Sequence, residues 1–153
     1  MMKLNDIFKN TSYDDTLFSA DAIEAVESAV FMKTIKGSET PYIKCFVRDK
    51  EIKLTPEEAV RQLYIYKLIH EYNYPTDRIQ LETPIHFGRE VKRADITIMD
   101  KDRPTVPYII VELKKPKLTD GKEQLKSYCN ATGAPIGVWT NGEQVSCYNR
   151  KDP

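Results

Sequence analysis

Arg93-Ala94-Asp95-Ile96 is followed, sixteen residues past the aspartate, by Val111-Glu112-Leu113-Lys114. The first stretch sets a carboxylate on one expected strand; the second sets a carboxylate and an amine two residues apart on the next. The strand period of two sends Glu112 and Lys114 to one face and Val111 and Leu113 to the other. A strand opening with the apolar run Tyr108-Ile109-Ile110-Val111 does not ordinarily spend two positions of one face on charge. Two carboxylates and an ammonium converging on one point are the parts that hold a hard divalent cation and activate a water against a phosphodiester.

A phosphodiester is anionic and hydrolyses slowly, so its cleavage needs charge neutralisation and a delivered hydroxide. Mg²⁺ (or Mn²⁺) takes oxygen ligands and keeps several waters. Asp95 and Glu112 supply two carboxylates, and the backbone carbonyl of Leu113 a third oxygen. Lys114 then orients the attacking water or stabilises charge building on the phosphoryl oxygens. Lys92, Arg93, Lys115 and Lys117 flank the acids and could hold phosphates on either side of the scissile bond. The competing reading is a surface ion pair between Glu112 and Lys114, with the other cations as solvated loop-end charges.

These residues need a scaffold, and the chain spells one out. Thr55-Pro56-Glu57-Glu58 opens a helix, with Thr55 as cap, Pro56 at the first helical position and Glu58 closing a capping box. That helix runs to about residue 72, and its widely spread apolar residues predict burial. Arg61 and Gln62 on it read as solvated surface positions. Residues 79–87, 91–99 and 106–114 then read as an antiparallel three-strand meander. A second helix over 122–130, capped by Thr119 or Asp120, ends at Gly133. Residues 135–140 read as a buried strand carrying Trp139, and Asn141-Gly142 as a hairpin turn into 144–148. Upstream, Ser19 caps a short helix and residues 42–47 and 51–54 read as strands. Residues 1–40 are expected to form a partly helical N-terminal extension that packs loosely or against a partner, with 41–153 as the main domain.

The bulk numbers restrict the alternatives. At 153 residues, 41% hydrophobic and 30% charged, the chain is ordinary for a globular domain. It holds no apolar run of the roughly 20 residues a membrane span needs. Its 23 acidic and 23 basic residues cancel, which excludes coating nucleic acid by bulk electrostatics but leaves room for a local basic cleft. Cys45, Cys129 and Cys147 are too few and too scattered for a zinc site and read as reduced thiols of a cytoplasmic protein. His70 reads as a hydrogen-bonded packing residue and His86 as a strand residue.

The order of motifs matters as much as any one of them. Asp95…Glu112-Leu113-Lys114 resembles the PD-(D/E)XK nuclease signature, without a literal Pro-Asp pair. The series from Leu54-Thr55-Pro56-Glu57-Glu58 through Lys92-Arg93-Ala94-Asp95, Val111-Glu112-Leu113-Lys114-Lys115-Pro116, Gln124, Tyr128 and Thr140-Asn141-Gly142 resembles the N-terminal nuclease domain of type I restriction enzyme R subunits. The likeness spans about residues 42–148. It implies an α/β fold with a restriction-endonuclease-like core: a mixed sheet, containing the meander, flanked by helices. It implies a metal-dependent DNA endonuclease of a restriction-modification system. It also implies that Gln124 and Tyr128 contact DNA phosphate or brace the attacking water, and that Glu58 (or its neighbour Glu57) stands beside the metal. Partners would be DNA and the motor, specificity and modification subunits. The alternative is an inactive nuclease-fold module that binds DNA or a partner protein. No Walker A sequence is present, so the ATP-driven motor of full R subunits is not encoded here. The finish at Lys151-Asp152-Pro153 fits either the front part of a longer protein or a short independent one.

Overall fold

A computed structural model describes residues 2–142 and 144–150; Lys151, Asp152 and Pro153 lie outside the described residues. Two compact units divide at Asn73 and Tyr74, each with its own sheet.

The first unit runs α1 (Leu4–Phe8), α2 (Ala20–Ala29), β1 (Val30–Ile35), β2 (Ser38–Lys44), β3 (Glu51–Lys53) and α3 (Pro56–His70). Its three strands are antiparallel. Lys36 and Gly37, both with left-handed φ, turn β1 into β2, as a two-residue hairpin with matching twist requires. Ser19 caps α2, its hydroxyl accepting from the Ala22 N–H at 3.1 Å. The expectation of loose packing in the first forty residues is wrong. Leu4, Phe8, Ala22 and Val26 share a buried core with Ile43, Leu54, Ala59, Val60 and Leu63, and the Leu4 N–H donates to the Glu27 carboxylate at 2.8 Å. β2 runs across position 40, so α1 and α2 fold as parts of this unit.

α3 begins where the sequence says it should: the Thr55 hydroxyl accepts from the Glu58 N–H at 3.1 Å. The reciprocal half of the capping box is not formed. The Thr55 N–H donates instead to the Lys53 carbonyl at 3.2 Å, and the Glu58 carboxylate turns along the helix. At the far end His70 is exposed, with its ring 4.2 Å from that of Tyr66, and is not buried packing.

The second unit holds β4 (Ile79–Phe87), β5 (Glu90–Met99), β6 (Pro107–Leu113), α4 (Lys122–Thr132), β7 (Ile136–Thr140) and β8 (Val145–Asn149). The strand order is β4-β5-β6-β7-β8. β4, β5 and β6 form the antiparallel meander, α4 crosses over so that β7 lies parallel to β6, and β8 returns antiparallel. The sheet is therefore mixed, as the family resemblance implies. α4 lays Leu125, Tyr128 and Cys129 against Ile85, Ala94, Ile110 and Trp139. A Cβ on Gly137 would stand 2.9 Å from the Cys129 sulfur and 3.0 Å from Leu125, so helix and strand approach too closely for any side chain there. Neither Thr119 nor Asp120 caps α4. Its N-cap is Gly121, at a left-handed φ of 93° and with no side-chain bond. Gly133, φ 81°, closes it.

Among the described residues no helix is long and apolar enough to cross a membrane. All three cysteines are free thiols, Cys45 and Cys129 buried and Cys147 exposed.

Candidate metal and phosphodiester site

Regular sheet bonding is given up around Asp95 on both sides. Towards β4 the pairs Leu81–Ile96 and Thr83–Ala94 are made while the position between them is skipped; there Glu82 adopts a left-handed φ of 53°. Towards β6 the ladder stops at Ile96–Val111. Continuing that register would set Asp95 opposite Glu112. In place of backbone pairing the two acids make a reciprocal exchange. The Glu112 carboxylate accepts from the Asp95 N–H at 3.2 Å, and the Asp95 carboxylate accepts from the Leu113 N–H at 2.8 Å. Each acid takes the place of a ladder bond of the other strand, which holds both carboxylates at the point where the strands part.

The backbone places the third oxygen on the same side. The Lys114 N–H donates to the Thr140 carbonyl of β7 at 2.8 Å. No peptide here is cis, so the carbonyl of that same peptide unit, which belongs to Leu113, points away from β7 and towards β5. The Leu113 N–H already points there, bonded to Asp95.

Electrostatics join the remaining groups to the pair. Glu112 is only 4% exposed. Burial, then the charge of Asp95, pushes its carboxyl up to about 8, against the pull of the Asp95 N–H and the Lys114 ammonium. Tyr128, buried on α4, is pushed up to about 12 by burial and then by the charges of Glu112 and Asp95. Gln124, half-buried, lies one turn nearer the start of α4 on the same face, where Gly121 adjoins the Lys114 side chain. The second unit therefore brings Asp95, Glu112, Leu113, Lys114 and Tyr128 into bonding or electrostatic reach of one another, with Gln124 one helical turn from Tyr128. Lys92, Arg93, Lys115 and Lys117 are all exposed; Arg93 also donates to the Glu82 carbonyl at 3.3 Å.

Glu58 belongs to the first unit, and its carboxylate is occupied. Arg61 holds it through two nitrogens, at 3.0 and 2.6 Å, and the Gln62 amide donates to it at 3.0 Å. The Gln62 oxygen in turn accepts from the Phe46 N–H at 3.1 Å. Arg61 and Gln62 are buried, which corrects the expectation of solvated positions; the i, i+3 and i, i+4 spacing from Glu58 was the sequence signal for this cluster. Glu57 raises the Tyr13 hydroxyl, which burial foremost, and then this neighbour's charge and hydrogen bond, push up to about 12.

Among the described residues no three or more His, Cys, Asp or Glu side chains form a metal cluster. The donor set is two carboxylates and a main-chain oxygen, and it suits a hard cation. Carboxylates only accept hydrogen bonds, and the two are held together with Glu112 buried, Asp95 half-buried and the proton affinity of Glu112 raised. Comparison with curated proteins gives no match. A protein-family model, that of the type I restriction enzyme R protein N terminus, matches residues 56–153. With most of its length matched, the chain belongs to the type I restriction enzyme R protein N-terminus family.

Proposed function

We propose that the second unit is a divalent-metal-dependent DNA endonuclease domain acting in a restriction-modification system. The observation that carries this reading is the reciprocal bonding of Asp95 and Glu112 at the parting of β5 and β6. It spends two backbone donors to keep two acids side by side, at a cost that shows in the raised proton affinity of Glu112 and that a bound cation would relieve. Asp95, Glu112 and the Leu113 carbonyl would hold Mg²⁺ or Mn²⁺. When bound, the ion supplies Lewis acidity towards the phosphodiester and charge neutralisation.

The chain's own groups do the rest. The Lys114 ammonium, drawn to Glu112, donates to the attacking water or to a non-bridging phosphoryl oxygen as charge builds there. Gln124 and the Tyr128 hydroxyl, on the helix above, orient that water or the phosphate. Lys92, Arg93, Lys115 and Lys117 hold neighbouring phosphates, which makes affinity fall with salt. Glu58 enters only through the stability of α3, because Arg61 and Gln62 already occupy its carboxylate. Sequence choice and the site of cutting belong to separate specificity, modification and motor subunits.

Supercoiled plasmid with Mg²⁺ or Mn²⁺ tests the assignment. The wild-type chain is expected to nick it, and Lys114→Ala and Asp95→Asn to lose about 10²–10³ in rate. Equal nicking by all three would sink the site. If none nicks, and calorimetry with Mn²⁺ shows no binding that Asp95→Asn removes, the non-catalytic module is the better reading.

A further inference from the structure

We propose that the end of β7 is a clasp for the lysine, with Gly121, Trp139 and Asn141 as positioning residues. The inference rests on the reading of Lys114 as the amine that acts on the phosphodiester. Three successive residues each hold a different point of the segment that follows β6. The Thr140 carbonyl takes the Lys114 N–H at 2.8 Å. The Trp139 indole N–H donates to the Asp120 carbonyl at 2.9 Å. The Asn141 amide donates to the Leu118 carbonyl at 2.7 Å. All three residues are buried, so each bond is anchored on a fixed side, while Leu118 and Asp120 of the held segment are exposed.

The clasp itself is braced. The Asn141 side-chain oxygen accepts from the Gln144 N–H at 2.8 Å, and the Thr140 hydroxyl accepts from the Gly142 N–H at 3.2 Å. The held segment is not relaxed extended chain: Lys117 has a left-handed φ of 70°. Such a conformation persists where the surroundings over-determine it.

The segment closes on the lysine stem at Gly121. A Cβ there would stand 2.5 Å from Lys114 Cε, 3.4 Å from Nζ and 3.5 Å from the Trp139 nitrogen. A lysine has four rotatable side-chain bonds and fixes its ammonium only where walls remove rotamers. Gly121 is such a wall: its left-handed φ of 93° suits glycine, and the lysine stem passes where a methyl would sit. Thr140-Asn141-Gly142 is thus more than a hairpin turn: from the neighbouring strand it sets the place of the amine.

Side-chain ¹³Cε relaxation of Lys114, measured by NMR on the full chain without metal, tests this. Gly121→Ala and Asn141→Asp are expected to lower its order parameter. Asn141→Asp keeps the size of the side chain and the acceptor for Gln144 but removes the donor to Leu118. Gly133→Ala is the control, since φ is also left-handed there and nothing lies within 4 Å of its Cβ; it should leave Lys114 unchanged. Single-turnover cutting should fall about tenfold or more in the two clasp variants, with DNA affinity unchanged and with no further loss when Lys114 is already alanine. Unchanged Lys114 order in Asn141→Asp, and in Gly121→Ala wherever that variant folds, overturns the clasp. A wild-type chain that cuts no DNA overturns the proposed function instead, and the relaxation result still decides the clasp.

Discussion

Glu58 and Glu112 are both almost fully buried, at 9% and 4% exposure, yet they are satisfied in opposite ways. Glu58 meets a guanidinium through two nitrogens and an amide through a third. This is the arrangement that neutralises a buried carboxylate most completely. Among the described residues Glu112 meets one backbone N–H and faces another carboxylate; the cation that acts on it is Lys114, just past the end of its strand. The first acid belongs to a closed structural network, tied through Gln62 to the turn at Phe46. The second is left short of positive charge. A buried acid says little about function by itself; what faces it says more.

The largest expected effect tests the closed network. Arg61→Leu leaves Glu58 buried without its counter-charge, and should destabilise the first unit by about 3–5 kcal/mol. Replacing both, as Glu58→Gln with Arg61→Leu, should recover much of that, because neither charge is then stranded. Amide hydrogen exchange along α3 reads the first unit directly, whereas fluorescence of the single tryptophan, Trp139, reports the second. If Arg61→Leu leaves α3 exchange unchanged, the ion pair does not hold the helix and Glu58 returns as a candidate for chemistry.

The second effect tests the open pair through pH. Between the ordinary carboxylate range and about 8, folded Glu112 keeps a proton that the unfolded chain has released. The folded state then binds more protons than the unfolded one, so stability falls as pH rises through this window, by at most about 1.4 kcal/mol per pH unit. Below the window both states are protonated and above it both are ionised, so the slope from this group vanishes. Glu112→Gln should flatten the slope and leave the metal-free protein more stable at pH 9, while destroying Mn²⁺ binding. In the wild type, Mn²⁺ affinity should climb up to about pH 8 and then level, with proton release on binding. A pH-independent affinity would show that Glu112 is already ionised and that the comparison with Glu58 is drawn too sharply.

The same contrast separates what the sequence discloses from what it hides. Period-two alternation ending in Glu112-Leu113-Lys114, the Asn141-Gly142 turn and the Thr55 cap are local signals, and the meander, the crossover helix and the start of α3 follow from them. The acids' meeting point follows as well, since strands joined by short loops must lie side by side. The structure departs from the sequence reading where a tertiary partner decides the outcome. Arg61 and Gln62 look like surface residues until both are seen to donate to Glu58 and Gln62 to accept from the Phe46 N–H. Residues 4–26 look like an extension because α1 is a single short turn, and Leu4 and Phe8 find their partners on α3 and β2 only in three dimensions. The reciprocal carboxylate–backbone bonds carry no sequence mark at all, because they depend on where two strands part.

The smallest expected effect repeats the comparison at the scale of helix starts. α3 begins on a cap: the Thr55 hydroxyl takes the Glu58 N–H, Pro56 occupies the first helical position, and Glu57 and Glu58 complement the dipole. α4 begins on Gly121, which offers no side-chain acceptor. A serine or aspartate there would stabilise an isolated helix, but its Cβ would fall on the Lys114 stem. Thr55→Ala should therefore cost about 1 kcal/mol, the ordinary worth of a lost cap, read as faster exchange in the first turn of α3. At Gly121 the capping rule should reverse, with Gly121→Ser lowering stability both through its left-handed φ of 93° and through the stem, and by less when Lys114 is already alanine. If Gly121→Ser costs the same with Lys114 present or replaced by alanine, the left-handed backbone alone sets the cost, and the uncapped start of the helix is not the consequence of keeping Lys114 in place.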